Sequence, residues 1–329
     1  MKIGFVSTAH IHTKSFIEKI LAATDGRKVG GVWDNVAGRG QRYAEMAGAP
    51  FVADLPALLA DTTIDGFVIC AENTRHLPLL KQVLPVGKPV FCEKPLVTNL
   101  DDLREVRALW AQYQTPLFCG YFQPWTDQLR AVMQKVDAGE VGRITRIRYR
   151  NANRAALGRW FDHPDLNWFY DPALSGGGGF MDMGTHALHC VRTLFGPVKE
   201  IWAEIGNYSG AYPGVDDFGV AQLRFASGVL GTVEAGWTQS GGVGGLEIVG
   251  MEKTIWNTAE GYRITGSDEP IPPLADLPNR IDRLVAVIEG KISAEELKND
   301  LEATFDTVAL MSGAYESAKT GLWVSVGSS

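Results

Sequence analysis

Cysteine is scarce in this chain, and long apolar runs and surplus positive charge are missing altogether. The four cysteines, Cys70, Cys92, Cys119 and Cys190, show no paired spacing of the metal-ligand or disulfide type. They are expected as free thiols in or near buried strands, which excludes a disulfide scaffold and a cysteine-bound metal. The apolar run at the amino terminus, Ile3 to Val6, is too short for a signal-peptide core or a membrane span, so a cytoplasmic protein with no membrane partner is expected. Lys and Arg total 31 against 38 Asp and Glu, a net charge of −7 that argues against a general affinity for nucleic acid. Histidine numbers only six. His10 and His12 form an x-spaced pair, but no cysteine or carboxylate joins them at ligand spacing, and no metal is expected.

What is present is ordinary globular material: 329 residues, 45% apolar and 21% charged, enough for two domains. Up to about residue 120, short apolar runs alternate with helical patterns: Lys2 to Val6 then Lys14 to Ala23, Val29 to Trp33 then Arg39 to Ala47. Phe67 to Cys70, Pro89 to Cys92 and Pro116 to Gly120 continue the series, with helical stretches between them. Such alternation predicts parallel βαβ units, a Rossmann-type doubly wound sheet over residues 1–121.

After Tyr121 the texture changes. A helix is expected from Trp125 to Val136, and then Arg143 to Arg150 sets Thr145, Ile147 and Tyr149 against alternating arginines, the period of a half-buried strand. Further strands are expected at Lys199 to Ile205, Asp217 to Phe225, Val229 to Trp237, Leu246 to Val249 and Lys253 to Trp256, with Ala226-Ser227-Gly228 as a hairpin link. Helices at Asn279 to Glu289 and Leu297 to Lys319 precede a last short strand from Leu322 to Val326. Residues 122–329 therefore read as an α+β domain with a large antiparallel sheet, used for substrate and for oligomer contacts. The cleft between the two domains is the expected ligand site.

Two segments carry the chemistry. Leu174 to His189 runs Leu-Ser-Gly-Gly-Gly-Gly-Phe-Met-Asp-Met-Gly-Thr-His-Ala-Leu-His. Four glycines cost about 1 kcal/mol each inside a helix, so the spacing predicts a flexible, cavity-lining loop that leads into a helix start. Asp182, His186 and His189 then share one helical face, an outline of a proton-transfer site. Upstream, the buried-strand run Pro89 to Cys92 ends in Glu93-Lys94-Pro95, and strand carboxyl ends in open α/β sheets face the ligand crevice. An ordinary turn lysine at position 94 and a merely helix-capping Asp182 remain the alternatives at this stage.

Together with Ile64 to Ile69, Asn73-Thr74-Arg75-His76, Gly87 to Val90, Gly139 to Gly142 and Ala314 to Gly321, these segments resemble the Gfo/Idh/MocA family, the glucose-fructose oxidoreductase and inositol dehydrogenase type of nicotinamide-dependent enzymes. The resemblance covers nearly the whole chain. It implies that Lys94, Asp182 and His186 are catalytic. His186 would be the base for an alcohol proton, Lys94 the stabiliser of the alkoxide, and Asp182 the group that orients substrate or imidazole. It implies cofactor contacts from Ser7, Thr8, Ala9, His10, Ile11, Asp34, Ala71, Glu72, Asn73, His76, Glu93 and Lys94. Substrate contacts would come from Lys94, Gln123, Trp160, Asp182, His186 and His189. The aromatic stretch Trp160 to Tyr170 reads equally as a sugar-stacking wall, a satellite core or a subunit contact.

The chain departs from the pattern most where the cofactor is expected. After the first strand the three glycines of a dinucleotide fingerprint are replaced within Ser7-Thr8-Ala9-His10-Ile11-His12. Side chains of Ser7, Thr8 or His10, or backbone amides at the helix start, are left to hold phosphate. Asp34 at the end of the second strand suits the ribose hydroxyls and opposes a 2′-phosphate, which favours NAD over NADP, although Arg39 or Arg42 offers NADP a partner. Ala71-Glu72, His189 and the absence of an arginine near Gln123-Pro124 are further departures, and they bear on substrate choice.

The leading expectation is an NAD(P)-dependent oxidoreductase acting on a hydroxyl or carbonyl of a sugar, cyclitol or related polyol, as a homodimer or homotetramer. The rival is a non-catalytic ligand-binding or regulatory homologue with weakened cofactor binding. A third reading keeps a tightly held cofactor for redox-assisted hydrolysis or epimerisation.

Overall fold

The computed structural model describes residues 1–326. Residues 327–329, the end of the expected carboxy-terminal domain, lie outside the described residues. Strands β1 (Lys2–Thr8), β2 (Lys28–Trp33), β3 (Gly66–Cys70), β4 (Val90–Cys92) and β5 (Leu117–Cys119) form one parallel sheet in the order β2-β1-β3-β4-β5. A parallel bridge from Val32 to Phe51 extends it beyond β2. Helices α1 (Thr13–Leu21), α2 (Ala37–Ala47), α3 (Leu55–Ala60), α4 (His76–Val83) and α5 (Leu100–Tyr113) connect the strands. The interior side chains of β1, β3 and β4 are buried on both faces, which is why these strands read as continuous apolar runs. The winding reverses between β1 and β3, so the crevice for a ligand opens over their carboxyl ends.

The second sheet has eight strands in the order β12-β11-β10-β6-β9-β8-β7-β13. Helix α6 (Asp127–Asp137) leads into β6 (Ile144–Ala152), and α7 (Pro172–Ser175) and α8 (Thr185–Phe195) precede β7 (Val198–Gly206) and β8 (Phe218–Phe225). Strands β9 (Leu230–Gly236), β10 (Gly245–Gly250), β11 (Thr254–Thr258), β12 (Gly261–Ile264) and β13 (Val324–Ser325) complete it, with α9 (Arg280–Ile288) and α10 (Ala294–Thr320) between β12 and β13. All pairings are antiparallel except β6 with β9. Strand β12 is too short and polar to be anticipated from periodicity.

The first sheet's cores are completed from the far end of the chain. Ile281, Leu284, Val285 and Leu297 pack with Phe5, Phe16 and Phe91, while Leu301, Phe305 and Val308 join Ile69, Leu103 and Leu117. Further along α10, Leu310, Met311 and Ala314 belong to the core under the second sheet. One helix thus locks both sheets together. The last strand of the first sheet ends at Cys119 and the first of the second begins at Ile144, and residues 280–308 pack back on the first sheet.

The four glycines do not line an open cavity, and here the expectation is corrected. A Cβ on Gly178 would lie 1.9 Å from the Asp216 carbonyl oxygen, one on Gly179 2.6 Å from that of Asp217, and one on Gly177 2.5 Å from the Tyr315 hydroxyl. The run is a close crossing of backbones. Asp216 pins it by accepting from the Gly178 amide (2.8 Å), the Phe180 amide (2.7 Å) and the Tyr315 hydroxyl (2.8 Å). Gly178→Ala is therefore expected to destabilise the protein by about 3 kcal/mol, the upper range for forced overpacking, measured as a fall in the urea midpoint at unchanged slope.

Candidate active site

Lys94 follows β4, and the strand delivers it into the crevice between the sheets, buried at 3% exposure. Asp182 reaches it from the second domain. Its Oδ1 pairs with the Lys94 ammonium, whose Nζ also donates to the Asp182 backbone carbonyl (3.3 Å). The other carboxylate oxygen accepts from the indole of the fully buried Trp237 at 2.9 Å. Trp237 lies just beyond β9 and is a site residue that sequence reasoning missed, because nothing in a strand-end tryptophan signals a carboxylate partner.

Asp182 does not sit on a regular α-helix. Phe180 to Gly184 form a π-helical turn before α8 begins at Thr185, so the helical phase between Asp182 and the histidines differs from the i, i+4 spacing expected. His186 lies at the crevice, with the Tyr121 and Phe122 rings edge-on at 5.9 and 5.7 Å. Burial, and then the positive charge of Lys94, hold its pKa well below the ordinary histidine value, so the imidazole is neutral at pH 7. Its Nδ1 is buried and has no partner within the chain. A neutral imidazole with an unused nitrogen has the capacity to accept a proton.

His189 corrects the shared-face expectation. It is fully buried, stacked on Tyr121 at 4.0 Å and flanked by Trp125, with Nε2 4.0 Å from Asp300. The Tyr121 ring, fixed by a 2.6 Å hydrogen bond to Thr185, is stacked against its face, so His189 is a core residue rather than a substrate contact. Trp160 is largely exposed and covers Gly158, whereas its neighbours Phe161, Trp168 and Phe169 are buried. Gln123 is engaged at both ends of its amide, donating to Asn151 (3.2 Å) and accepting from Tyr149 (2.9 Å).

Near the carboxyl end of β1, Ser7 takes φ +65°, the left-handed conformation that a glycine would supply without strain. Asp34 is in place at the end of β2, but its carboxylate is already used. It accepts from the Thr8 amide (2.7 Å) and hydroxyl (2.6 Å), the Val36 amide (2.7 Å) and two nitrogens of Arg39 (2.9 and 2.8 Å). Arg39 also bridges to Glu72 at 3.1 Å. The Ala9 carbonyl accepts from the Trp168 indole, and Ala9 itself packs among Phe161, Phe169 and Trp237. Ile11 is exposed.

Three expected cofactor contacts turn out to be structural. His76 is wholly buried, with its ring nitrogens 2.8 Å from the Pro95 carbonyl and 3.2 Å from that of Ala71; burial lowers its pKa, so the neutral ring donates its one N–H to one of these oxygens, and Ala71 is itself fully buried. Asn73 donates to the Ser175 carbonyl at 2.8 Å and ties the two domains together.

Glu93 is the centre of a cluster that only tertiary structure assembles. It receives Arg280 Nη1 at 3.1 Å and faces His12 Nδ1 at 3.1 Å and His10 Nδ1 at 4.0 Å. Burial would raise its pKa, but the facing guanidinium and imidazoles hold it well below the ordinary carboxylate range. A carboxylate does therefore join the histidine pair, contrary to the reading from spacing. Arg280 was also missed, since no local signal links it to Glu93 187 positions away.

The residues present suit a dinucleotide in part. The helix α1 start and the carboxyl ends of β1, β3 and β4 form the place for it, with Asp34, Glu72, Glu93 and the Ser7–His12 turn around it. The orphaned Nδ1 of His186 suits a reactant beside the cofactor.

Comparison with known proteins agrees with this geometry. Residues 1–121 match the model of an oxidoreductase family with an NAD-binding Rossmann fold, and residues 129–256 match the GFO/IDH/MocA C-terminal domain. Among curated relatives, the rhizopine catabolism protein MocA of Rhizobium meliloti is 25% identical over 64% of this chain and 65% of its own length. Myo-inositol 2-dehydrogenase of Thermotoga maritima is 27% identical over 54% of this chain. This chain spans about half of that relative's length (51%). The solved structure of levoglucosan dehydrogenase, in complex with NADH and L-sorbose, superposes with a TM-score of 0.78 at 19% identity over 100% of this chain and 99% of its own, a likeness of fold. No helix among the described residues is long and apolar enough to cross a membrane.

Burial lowers His189 from the ordinary 6.5 to about 3, so unfolding takes up a proton there at any pH between those values and stability falls as pH falls. His189→Phe is expected to reduce the slope of unfolding free energy against pH, between about pH 4 and 6, by about 1.4 kcal/mol per pH unit. Urea titrations at several pH values measure it.

Proposed function

The chain belongs to the Gfo/Idh/MocA family of oxidoreductases, and we propose that it is an NAD-dependent enzyme that moves a hydride between the cofactor and a hydroxyl or carbonyl carbon of a sugar, cyclitol or related polyol. One observation carries the reading: a neutral, buried His186 whose Nδ1 lacks a partner, set beside a Lys94 ammonium oriented by Asp182. A bound nicotinamide supplies the hydride acceptor or donor. The chain's own residues do the rest.

In the oxidising direction His186 takes the hydroxyl proton, which its depressed pKa permits because the ring is unprotonated at neutral pH. Lys94 donates to the oxygen as negative charge develops, and the burial that excludes water strengthens this interaction. Asp182 fixes the direction of the ammonium and is itself fixed by Trp237. In the reducing direction the same groups work in reverse. Arg39 is neutralised between two carboxylates, Asp34 and Glu72, and a 2′-phosphate brought to Asp34 would meet both negative charges, which supports NAD over NADP. Names of relatives that act on inositol support a polyol substrate.

A second reading, a binding protein with weakened cofactor affinity, is favoured by the saturated carboxylate of Asp34. Calorimetry with NAD and NADP separates the two, since a failure to bind either dinucleotide selects the second.

Lys94→Met and His186→Ala are each expected to cut turnover at least ~100-fold on the substrate found by screening sugars and cyclitols with NAD, with circular dichroism unchanged. Near-normal turnover of either would remove the catalytic assignment. Asp34→Ser removes the charge that opposes a 2′-phosphate and leaves Arg39 with Glu72 as its carboxylate partner, so the ratio of NAD to NADP affinity should fall by about 10-fold or more, read from dissociation constants.

A further inference from the structure

We infer that Arg280 is a positioning residue for both reacting groups: it steadies Lys94 through Glu93, and His186 through the Gly120 peptide and the Phe122 ring. The inference rests on the reading above that Lys94 and His186 act on the substrate.

The place of this arginine is not explained by its own helix. Arg280 is the first residue of α9, and it follows Asn279, whose side chain caps the helix by accepting from the Ile281 and Asp282 amides (3.0 and 3.2 Å). The positive end of a helix dipole disfavours a cation there. Ile281 and Leu284, both fully buried, seat the same helix among Phe5, Phe16 and Phe91, so the guanidinium starts from a rigid base. Phe16 and Phe122 flank it, with ring centres 4.8 and 5.0 Å away.

One path from it leads to Lys94. Arg280 Nη1 donates to Glu93 Oε1 (3.1 Å), and the other oxygen of this fully buried carboxylate, Oε2, accepts from the Lys94 amide (2.9 Å). Burial opposes an ionised Glu93, while the facing His10 and Arg280 keep it charged. An ionised carboxylate is the stronger acceptor, so the arginine secures the peptide from which the lysine side chain departs. Gly120 closes over the same carboxylate, since a Cβ there would lie 2.8 Å from Glu93 Oε2.

The other path leads to His186. The same Nη1 donates to the Gly120 carbonyl (3.1 Å), and the next two residues, Tyr121 and Phe122, supply the rings that stand edge-on to the imidazole. Phe122 thus lies between the guanidinium and His186. Burial, and then the charges of Lys94 and Arg280, lower the His186 pKa, so the arginine also helps to keep that ring able to accept a proton. A counter-ion for Glu93 alone would need neither the bond to Gly120 nor the contact with Phe122.

The test follows single turnovers by stopped flow, with enzyme and substrate in excess over NAD, on the substrate found by screening sugars and cyclitols. The variants are Arg280→Gln, Arg280→Lys and the double Glu93→Gln/Arg280→Gln. The double variant keeps an acceptor for the Lys94 amide and buries no unbalanced charge, so it serves where Arg280→Gln does not fold. Arg280→Gln and the double variant should lower the rate constant of NADH formation by about 10- to 100-fold at native amplitude, with NAD and substrate dissociation constants within about threefold of native, and Arg280→Lys should recover part of the loss. A native rate constant in either charge-removing variant overturns the inference and leaves the oxidoreductase reading intact. So does a loss confined to the amplitude or to the urea midpoint, which would make Arg280 only the counter-ion of Glu93, or a fall in NAD affinity as large as the fall in rate. If the native protein forms no NADH with any sugar or cyclitol, the inference and the oxidoreductase reading fall together.

Discussion

The ion pair between Lys94 and Asp182 is the interaction on which the rest of the structure depends. It joins the end of a strand in the first sheet to a turn of the second domain, and both groups lie largely out of water. Taking two charges from water is costly, and the cost is met only when the remaining hydrogen-bonding positions are filled. Trp237 fills one on Asp182, and the backbone carbonyl of Asp182 fills one on Lys94. The π-helical turn that presents Asp182 is in turn held by Asp216, through amides that only glycine-sized crossings bring within reach. Chemistry at the crevice and packing of the second domain are thus one construction.

From Trp237 the contacts continue toward the turn after β1. Its ring meets Phe161 at 4.7 Å, Phe161 stacks on Phe169, Phe169 on Trp168, and the Trp168 indole donates to Ala9 in the first turn. Bonds from Asn73 to Ser175 and from Thr74 to Ala173, with an ion pair between Arg42 and Asp165, fasten the same segment to the first domain. The aromatics between Trp160 and Tyr170 serve this closure. Aromatic contacts of this kind add about 0.5–1.5 kcal/mol each beyond area burial, enough together to fix the relation of the two domains around the Lys94–Asp182 pair.

Much of the fold was legible because it rests on local periodicity. Continuous apolar runs marked the parallel strands, alternation marked β6, and the Ala226-Ser227-Gly228 link marked the hairpin between β8 and β9. Lys94 could be placed at a crevice from the rule that strand carboxyl ends meet there, and the Asp182 and His186 pair from the residues around it. Other readings failed for identifiable reasons. His189 was assigned to the catalytic face on ideal helix spacing, and a π-helical turn changed the phase. His76 was carried over with its motif, yet its ring is wholly buried between two backbone carbonyls. The glycine run was read as freedom, whereas its small size is what the crossing chains require.

The sequence by itself determined the layers, the family and the chemical types available at the crevice, since these follow from the period of apolar residues and from short motifs. Tertiary structure alone decided which groups are neutral, which are saturated and which are free. Asp34 loses its open lone pairs to Arg39, Glu93 gains an arginine from a helix near the other end of the chain, and His186 is left with an unpartnered nitrogen. Hydrogen-bond capacity and charge state are set by distance and burial, and neither is written in the spacing of residues along a chain.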